Sequence, residues 1–243
     1  MIYHLREVCF RRQQGDSSFE LHIQQLDMDE GEFSFVVGES GCGKSTLLDG
    51  LGLLLPAQRA ECFDFNPQGS GINGSILNLS GRQILNLRRT HMTHVLQSGG
   101  LIPSFSVRGN ILLSAEIAGV IYDLSWFNEI VQRLDLEGCL DRHPAQLSGG
   151  QRQRVALARA VLYKPSVILA DEPTAAVDQP RAVEICEIFR SLTREFGCTV
   201  VMVTHNQELA SRFADRILSL GAPTRQGHLS QTEISWELPT VAS

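Results

Sequence analysis

The sequence is short of positive charge. Its 21 Lys and Arg residues face 27 Asp and Glu, a net charge of −6, which removes the bulk attraction to a phosphate backbone that nucleic-acid binders rely on. No nucleic-acid partner is expected. The six cysteines, at 9, 42, 62, 139, 186 and 198, include no Cys-x-x-Cys pair, so neither a zinc ribbon nor a disulfide framework is indicated and a reducing cytoplasm is the simplest setting. No apolar run reaches the roughly 18 to 20 residues that a membrane span needs, and residues 1–10 mix charged and apolar types. Neither an export signal nor direct membrane insertion is therefore expected. Internal repeats, low-complexity tracts and a sustained heptad array are also missing, which excludes a solenoid and a long coiled coil.

What is present is enough apolar material for one compact unit: 243 residues, 43% of them hydrophobic. Phe19, Leu21 and Ile23 alternate with polar neighbours, and residues 2–10 do so less cleanly, which predicts a small antiparallel sheet near the start. Three short apolar runs at 33–37, 167–170 and 199–203 are each followed by polar loop residues and then a helical pattern. That repetition predicts a parallel sheet flanked by helices. Between them, 106–120, 126–136 and 151–163 carry helical periodicity with no strand between, which predicts a helical insertion. Residues 56–74 read as an irregular connection or short hairpin, and 231–243 as a tail.

Chemistry concentrates at a few places. Gly38-Glu39-Ser40-Gly41-Cys42-Gly43-Lys44-Ser45 fits the phosphate-loop pattern in full and lies between a buried strand and a helix. Its glycines Gly38, Gly41 and Gly43 let backbone amides close around phosphate oxygens, with Ser40 and Thr46 counted among the contacts. Lys44 supplies a point cation, and the Ser45 hydroxyl suits magnesium. Asp171 and Glu172 end the apolar run at 167–170, at the strand end where open α/β sheets present their chemistry. Asp171 is the candidate magnesium partner and Glu172 the candidate base for an attacking water. A second anion-binding helix start is written in Leu147-Ser148-Gly149-Gly150-Gln151, followed by the basic helical run at 152–160. Two phosphate devices in one chain are redundant unless each serves a different molecule.

With that last motif the sequence resembles the ABC ATPase family, over roughly residues 1 to 230 and with every motif in family order. The resemblance implies an α/β fold: a P-loop NTPase core with a mostly parallel sheet, an N-terminal antiparallel β subdomain and an inserted α-helical signature subdomain at about 98–160. It implies ATP and Mg²⁺ as ligands and a homodimer packed head to tail, in which Ser148, Gly149, Gly150 and Gln151 of one copy close over the nucleotide held by the other. Three further positions match. Gln97, which ends the strand expected at 92–97, corresponds to a glutamine that contacts magnesium or water. His205 corresponds to a histidine that contacts the γ-phosphate and positions Glu172, and Asp178 to an aspartate that communicates across the dimer.

Two positions depart from the family pattern. Arg12 stands where an aromatic residue stacking on adenine is expected; a guanidinium can also stack on a base, and Phe10 is a second candidate. Thr174-Ala175-Ala176-Val177-Asp178 replaces a wording common in the lipoprotein-extracting branch. Transporting members pair with an integral membrane permease, and the segment 98–110, including Leu101 and Ile102, is the expected docking surface. The resemblance then implies a peripheral protein on the cytoplasmic face of the inner membrane. Within the family, the run at 145–151 and Leu101-x-Pro103 resemble the LolD and MacB group of lipoprotein-releasing and mechanotransmission ATPases. An importer ATPase is the near alternative and a soluble non-transport ATPase the distant one.

Overall fold

The structure is a computed structural model that describes residues 1–15, 17–70, 74–175, 177–226 and 229–237. Its first two strands, β1 (Tyr3–Gln14) and β2 (Ser17–Met28), form a long antiparallel pair in which Val8 faces Ile23, Phe10 faces Leu21 and Arg12 faces Phe19. The expected N-terminal antiparallel sheet is thus present and longer than the alternation showed. Strand β3 (Phe33–Val37) leads through the glycine loop into helix α1 (Lys44–Leu51). In the described part of 56–74 the expected irregular connection or short hairpin is replaced by two short strands. These, β4 (Ala57–Arg59) and β5 (Cys62–Phe65), both pair antiparallel with β1, as successive parts of one interrupted edge. The alternation of Phe63 and Phe65, both buried, is the local cause.

Helix α2 (Gly81–His91) precedes β6 (Met92–Val95), and the helical insertion follows as α3 (Val107–Ala118), α4 (Leu124–Arg133) and α5 (Gly149–Val161). Ser106, Asp123 and Ser148 cap the amino ends of these three helices, and Gly119 closes α3 in a left-handed conformation. The indole N–H of Trp126 donates to the Val161 carbonyl at 3.2 Å, tying α4 to the end of α5. The chain returns to the core as β7 (Val167–Asp171), α6 (Gln179–Phe196), β8 (Thr199–Val203), α7 (Gln207–Phe213) and β9 (Arg216–Leu220). Strands β6, β7, β8, β3 and β9 lie side by side and parallel, with consecutive strands joined through helices.

The buried runs of this sheet serve two cores at once. Ile168, Ala170, Val200 and Met202 face the cluster shared with α3 to α6, whereas Val167, Leu169, Val201 and Val203 face the one shared with α1, β1 and β2. Burial on both faces explains why these strands read as continuous apolar runs.

One expectation fails. Residues 231–243 are not a tail over their described part, because β11 (Leu229–Glu237) runs parallel to β2 and antiparallel to β9, with short β10 (Thr224–Gln226) beside it. β11 therefore joins the N-terminal sheet to the parallel core. Backbone pairing on both edges holds it there, and Thr232 is buried where the sequence offers no strong apolar alternation. Residues 238–243 lie outside the described residues. Among the described residues no helix is long and apolar enough to cross a membrane.

Candidate functional site

A cleft of about 620 Å³ opens at the carboxyl ends of β3 and β7, with the start of β2 and the region before β11 as its far wall. Its floor is the glycine loop. Gly43, at φ 104°, occupies a left-handed conformation, and a Cβ there would stand 2.5 Å from the Phe19 ring. Only glycine satisfies both demands. No side chain caps the amino end of α1, unlike the ends of α3, α4, α5 and α6. Its first amides and the positive end of the helix dipole are left for an anion. Lys44 is buried, and its ammonium donates to the carbonyls of Gly38 and Glu39 at 2.8 Å each. Those carbonyls hold the charge at the loop mouth.

The two acids at the end of β7 part company. Asp171 turns toward the loop and accepts a hydrogen bond from the Ser45 hydroxyl at 3.1 Å. Glu172 has φ 48°, a left-handed conformation that costs a non-glycine residue about 1 to 3 kcal/mol. Its N–H donates to the Val203 carbonyl at 3.2 Å, which fixes the kink. The kink aims the carboxylate at His205, whose Nε2 stands 2.7 Å from Oε1. The Gln97 amide nitrogen donates to the other carboxylate oxygen at 3.5 Å. A carboxylate held from two sides at the rim of a phosphate cleft can orient and deprotonate a water.

Ser45 and Asp171 supply hard oxygen donors, and no group of three His, Cys, Asp or Glu capable of holding a metal exists among the described residues. A cation here must complete its shell with phosphate oxygens and water, which fits magnesium rather than zinc or calcium.

The remaining sequence candidates lie outside the cleft lining. Ser148 caps α5 and forms a capping box with Gln151, donating and accepting at 2.9 and 3.2 Å. The start of this helix faces α6: a Cβ on Gly150 would meet Arg181 at 3.4 Å and Val177 at 3.8 Å. Asp178 caps α6 by accepting from the Arg181 N–H at 3.3 Å. Within one chain the structure brings together the loop, Asp171, Glu172, His205 and Gln97; 148–151 and Asp178 do not line that cleft, although Val177 and Gln179 on either side of Asp178 line a smaller pocket with Glu172 and His205.

Of the two residues expected at the base-contact end, one is excluded. Phe10 is fully buried, edge-on to Phe63 and against Gly50, so it is closed to a ligand. Arg12 does line the cleft, but its guanidinium is engaged by the Asp49 carboxylate on α1. The aromatic side chain that lines the cleft is Phe19, which the sequence reading used only as a strand marker. Its signal was available: the register that pairs Phe10 with Leu21 also places Phe19 opposite Arg12. Pro223 and Ser230, which the sequence did not single out, complete that wall.

This arrangement has relatives. A sequence profile described as ABC transporter matches residues 21–175, well over half of the chain. The chain belongs to the ABC transporter family. It is 37% identical over 199 residues to the lipoprotein-releasing system ATP-binding protein LolD of Myxococcus xanthus, covering 81% of this chain and 85% of that protein. It is 36% identical over 225 residues to the macrolide export ATP-binding/permease protein MacB of Brucella melitensis, covering 90% of this chain but 33% of MacB. This ABC chain thus spans about a third of the length of its MacB relatives. The methionine import ATP-binding protein MetN of Burkholderia thailandensis is 36% identical over 206 residues, covering 83% of this chain and 57% of MetN. Among solved structures, a dimeric ATP-binding cassette in a post-hydrolysis state with ADP and Pi superposes with a TM-score of 0.79 at 31% identity, covering 90% of this chain and 94% of that one. The α/β fold is that of an ABC ATPase cassette.

Proposed function

We propose that the chain works as a head-to-tail homodimer that hydrolyses two ATP and drives a separate integral membrane permease, which holds it at the cytoplasmic face of the cell membrane. The observation that supports this reading is that the two phosphate devices do not share a cleft: the loop lines it, while Ser148, Gly149 and Gly150 are not among its lining residues. An anion site at a helix start has use only if a phosphate reaches it, and a second copy supplies that phosphate. The related cassette solved with ADP and Pi is itself dimeric.

In the proposed cycle Lys44 leaves the Gly38 and Glu39 carbonyls for the β- and γ-phosphates, and the loop amides take the remaining oxygens. Ser148, Gly149 and Gly150 of the partner copy close on the γ-phosphate, with Gln151 keeping the helix start in shape and Asp178 at the seam. Glu172, held by His205, accepts a proton as the water oxygen attacks the γ-phosphorus. The bond from that phosphorus to the bridging oxygen breaks, its electron pair leaves with ADP, and the proton passes on to phosphate. Ser45, Asp171 and Gln97 would hold magnesium, which when bound neutralises charge on the β- and γ-phosphates.

Coupling is assigned to the segment after β6. Asn110 is buried and bonds the chain at both ends of this turn: it accepts from the Ile102 N–H at 2.7 Å and donates to the carbonyls of Ile102 and Phe105 at 3.0 and 3.1 Å. Leu101 packs on the core, which leaves Ile102 half-buried and Leu96 and Phe105 exposed, at 47% and 40%, to meet a permease. The proposed work is LolD- or MacB-like, lipoprotein release or periplasmic mechanotransmission; relatives named for lipoprotein release and for macrolide export match over most of this chain and support this group. MetN, named for methionine import, matches equally well and keeps an importer as the alternative. Pull-down of the tagged chain from native membranes tests this: one integral membrane partner is expected, released by Phe105→Asp. Recovery of no membrane protein with the parent chain refutes the coupling role.

A further inference from the structure

We propose that Phe19, on the second strand, is the surface on which the nucleobase stacks, in place of any residue of the first strand. This rests on the reading of the cleft as the ATP site and assigns its base-contact residue.

Three observations converge. The position on β1 nearest the cleft mouth is Arg12, and Asp49 on α1 holds its guanidinium through an ion pair. Phe10, two residues earlier on the same face, is sealed in the core. Phe19 is the residue directly opposite Arg12 in the antiparallel ladder, so the two side chains share one face of the sheet. On its other side Phe19 is in register with Ser230 of β11. Three strands thus present Arg12, Phe19 and Ser230 as one row, and all three line the cleft that contains the phosphate loop.

The packing of the ring explains how it serves as a platform. Its far edge abuts the backbone of Gly43, where an added Cβ would come within 2.5 and 2.8 Å of two ring carbons. The ring packs partly buried against the core while remaining part of the cleft wall. A triphosphate seated on the amides around Gly43 and Lys44 therefore has a flat apolar surface beside its phosphate end, where a base can settle. Base stacking on an aromatic face needs no hydrogen bond and tolerates any base. At one end of the row the Ser230 hydroxyl is left for the sugar or the base edges.

The contribution of the base separates from that of the phosphates by comparing ATP with inorganic tripolyphosphate on the full chain, both with magnesium. Phe19→Leu keeps apolar volume against Gly43 and removes the π surface. It is expected to weaken ATP by roughly 5- to 150-fold, the range for loss of one stacking contact, while tripolyphosphate affinity stays within about twofold. Phe19→Trp is expected to restore ATP affinity, and its added indole fluorescence should respond to ATP but not to tripolyphosphate. Parent-like ATP affinity in Phe19→Leu, or equal losses for both ligands, overturns the assignment. Failure of the parent chain to bind either ligand overturns the reading of the cleft itself.

Discussion

Replacing Glu172 by Gln separates chemistry from binding, and the geometry sets the size of the effect. The amide is nearly isosteric with the carboxylate, and its oxygen can still accept from His205 at the position now 2.7 Å away. Gln97, 3.5 Å from the other oxygen, can turn its own amide to suit the new N–H. The backbone strain at φ 48° is that of the chain rather than of the side-chain charge, so it is unchanged. The His205–Glu172 pair is part-exposed, at 54% and 24%, and its loss costs stability about 1 kcal/mol or less. What disappears is the ability to take a proton. Loss of a positioned general base lowers turnover by about 10²- to 10⁴-fold, or about 2.7 to 5.5 kcal/mol of barrier. Phosphate release should fall by that factor while ATP affinity holds, and light scattering with ATP should show dimers accumulating. Phosphate release within about threefold of the parent would refute the assignment of Glu172 as base.

Three further outcomes follow from other parts of the structure. Gly43→Ala combines a left-handed φ of 104° with a Cβ 2.5 Å from the Phe19 ring. At about 2 to 4 kcal/mol of strain and overpacking, ATP affinity by calorimetry should fall at least about tenfold, and parent-like affinity would contradict the cradle geometry. His94 has a buried Nε2 with no partner, and burial lowers its pKa from 6.5 to about 4. The unfolded chain therefore takes up a proton first: this contribution is full above pH 6.5 and is lost as pH falls toward 4, by about 2 kcal/mol at pH 5. Urea unfolding at pH 7 and pH 5 should show that extra loss in the parent and not in His94→Leu, and equal pH dependence in both would contradict it. Chelation of magnesium by EDTA should stop phosphate release, and excess magnesium should restore it; turnover that continues in EDTA would remove the proposed role of Ser45 and Asp171.

The parallel core was legible because strands buried on both faces read as unbroken apolar runs, as at 167–170 and 199–203. The helical insertion was legible through its period. The phosphate loop was legible because its glycine spacing answers a steric demand that Gly43 meets in the structure. Less could be read where pairing rather than side-chain pattern decides. β11 is placed by hydrogen bonds to β2 and β9, and its mixture of serine, threonine and glutamate gives no alternation to detect. The base end of the cleft was less legible for a related reason. Phe10 is buried, the ring that lines the cleft sits on the cross-strand partner of Arg12, and the Arg12–Asp49 ion pair joins residues 37 apart in sequence. The left-handed backbone of Glu172 had no sequence signal, since glutamate seldom adopts it.

The claim that each nucleotide is completed by a second copy is tested most directly by mixing two inactive variants. Lys44→Ala destroys the phosphate cradle and Ser148→Arg blocks the opposing helix start, so neither homodimer has a complete site. A mixed dimer has one site in which an intact Lys44 faces an intact Ser148. If the two devices act between copies, mixing the two proteins in equal amounts should recover phosphate release, up to about a quarter of the parent rate for independent sites and random pairing. Recovery of no activity, from variants that are each folded and able to form dimers, would contradict the account.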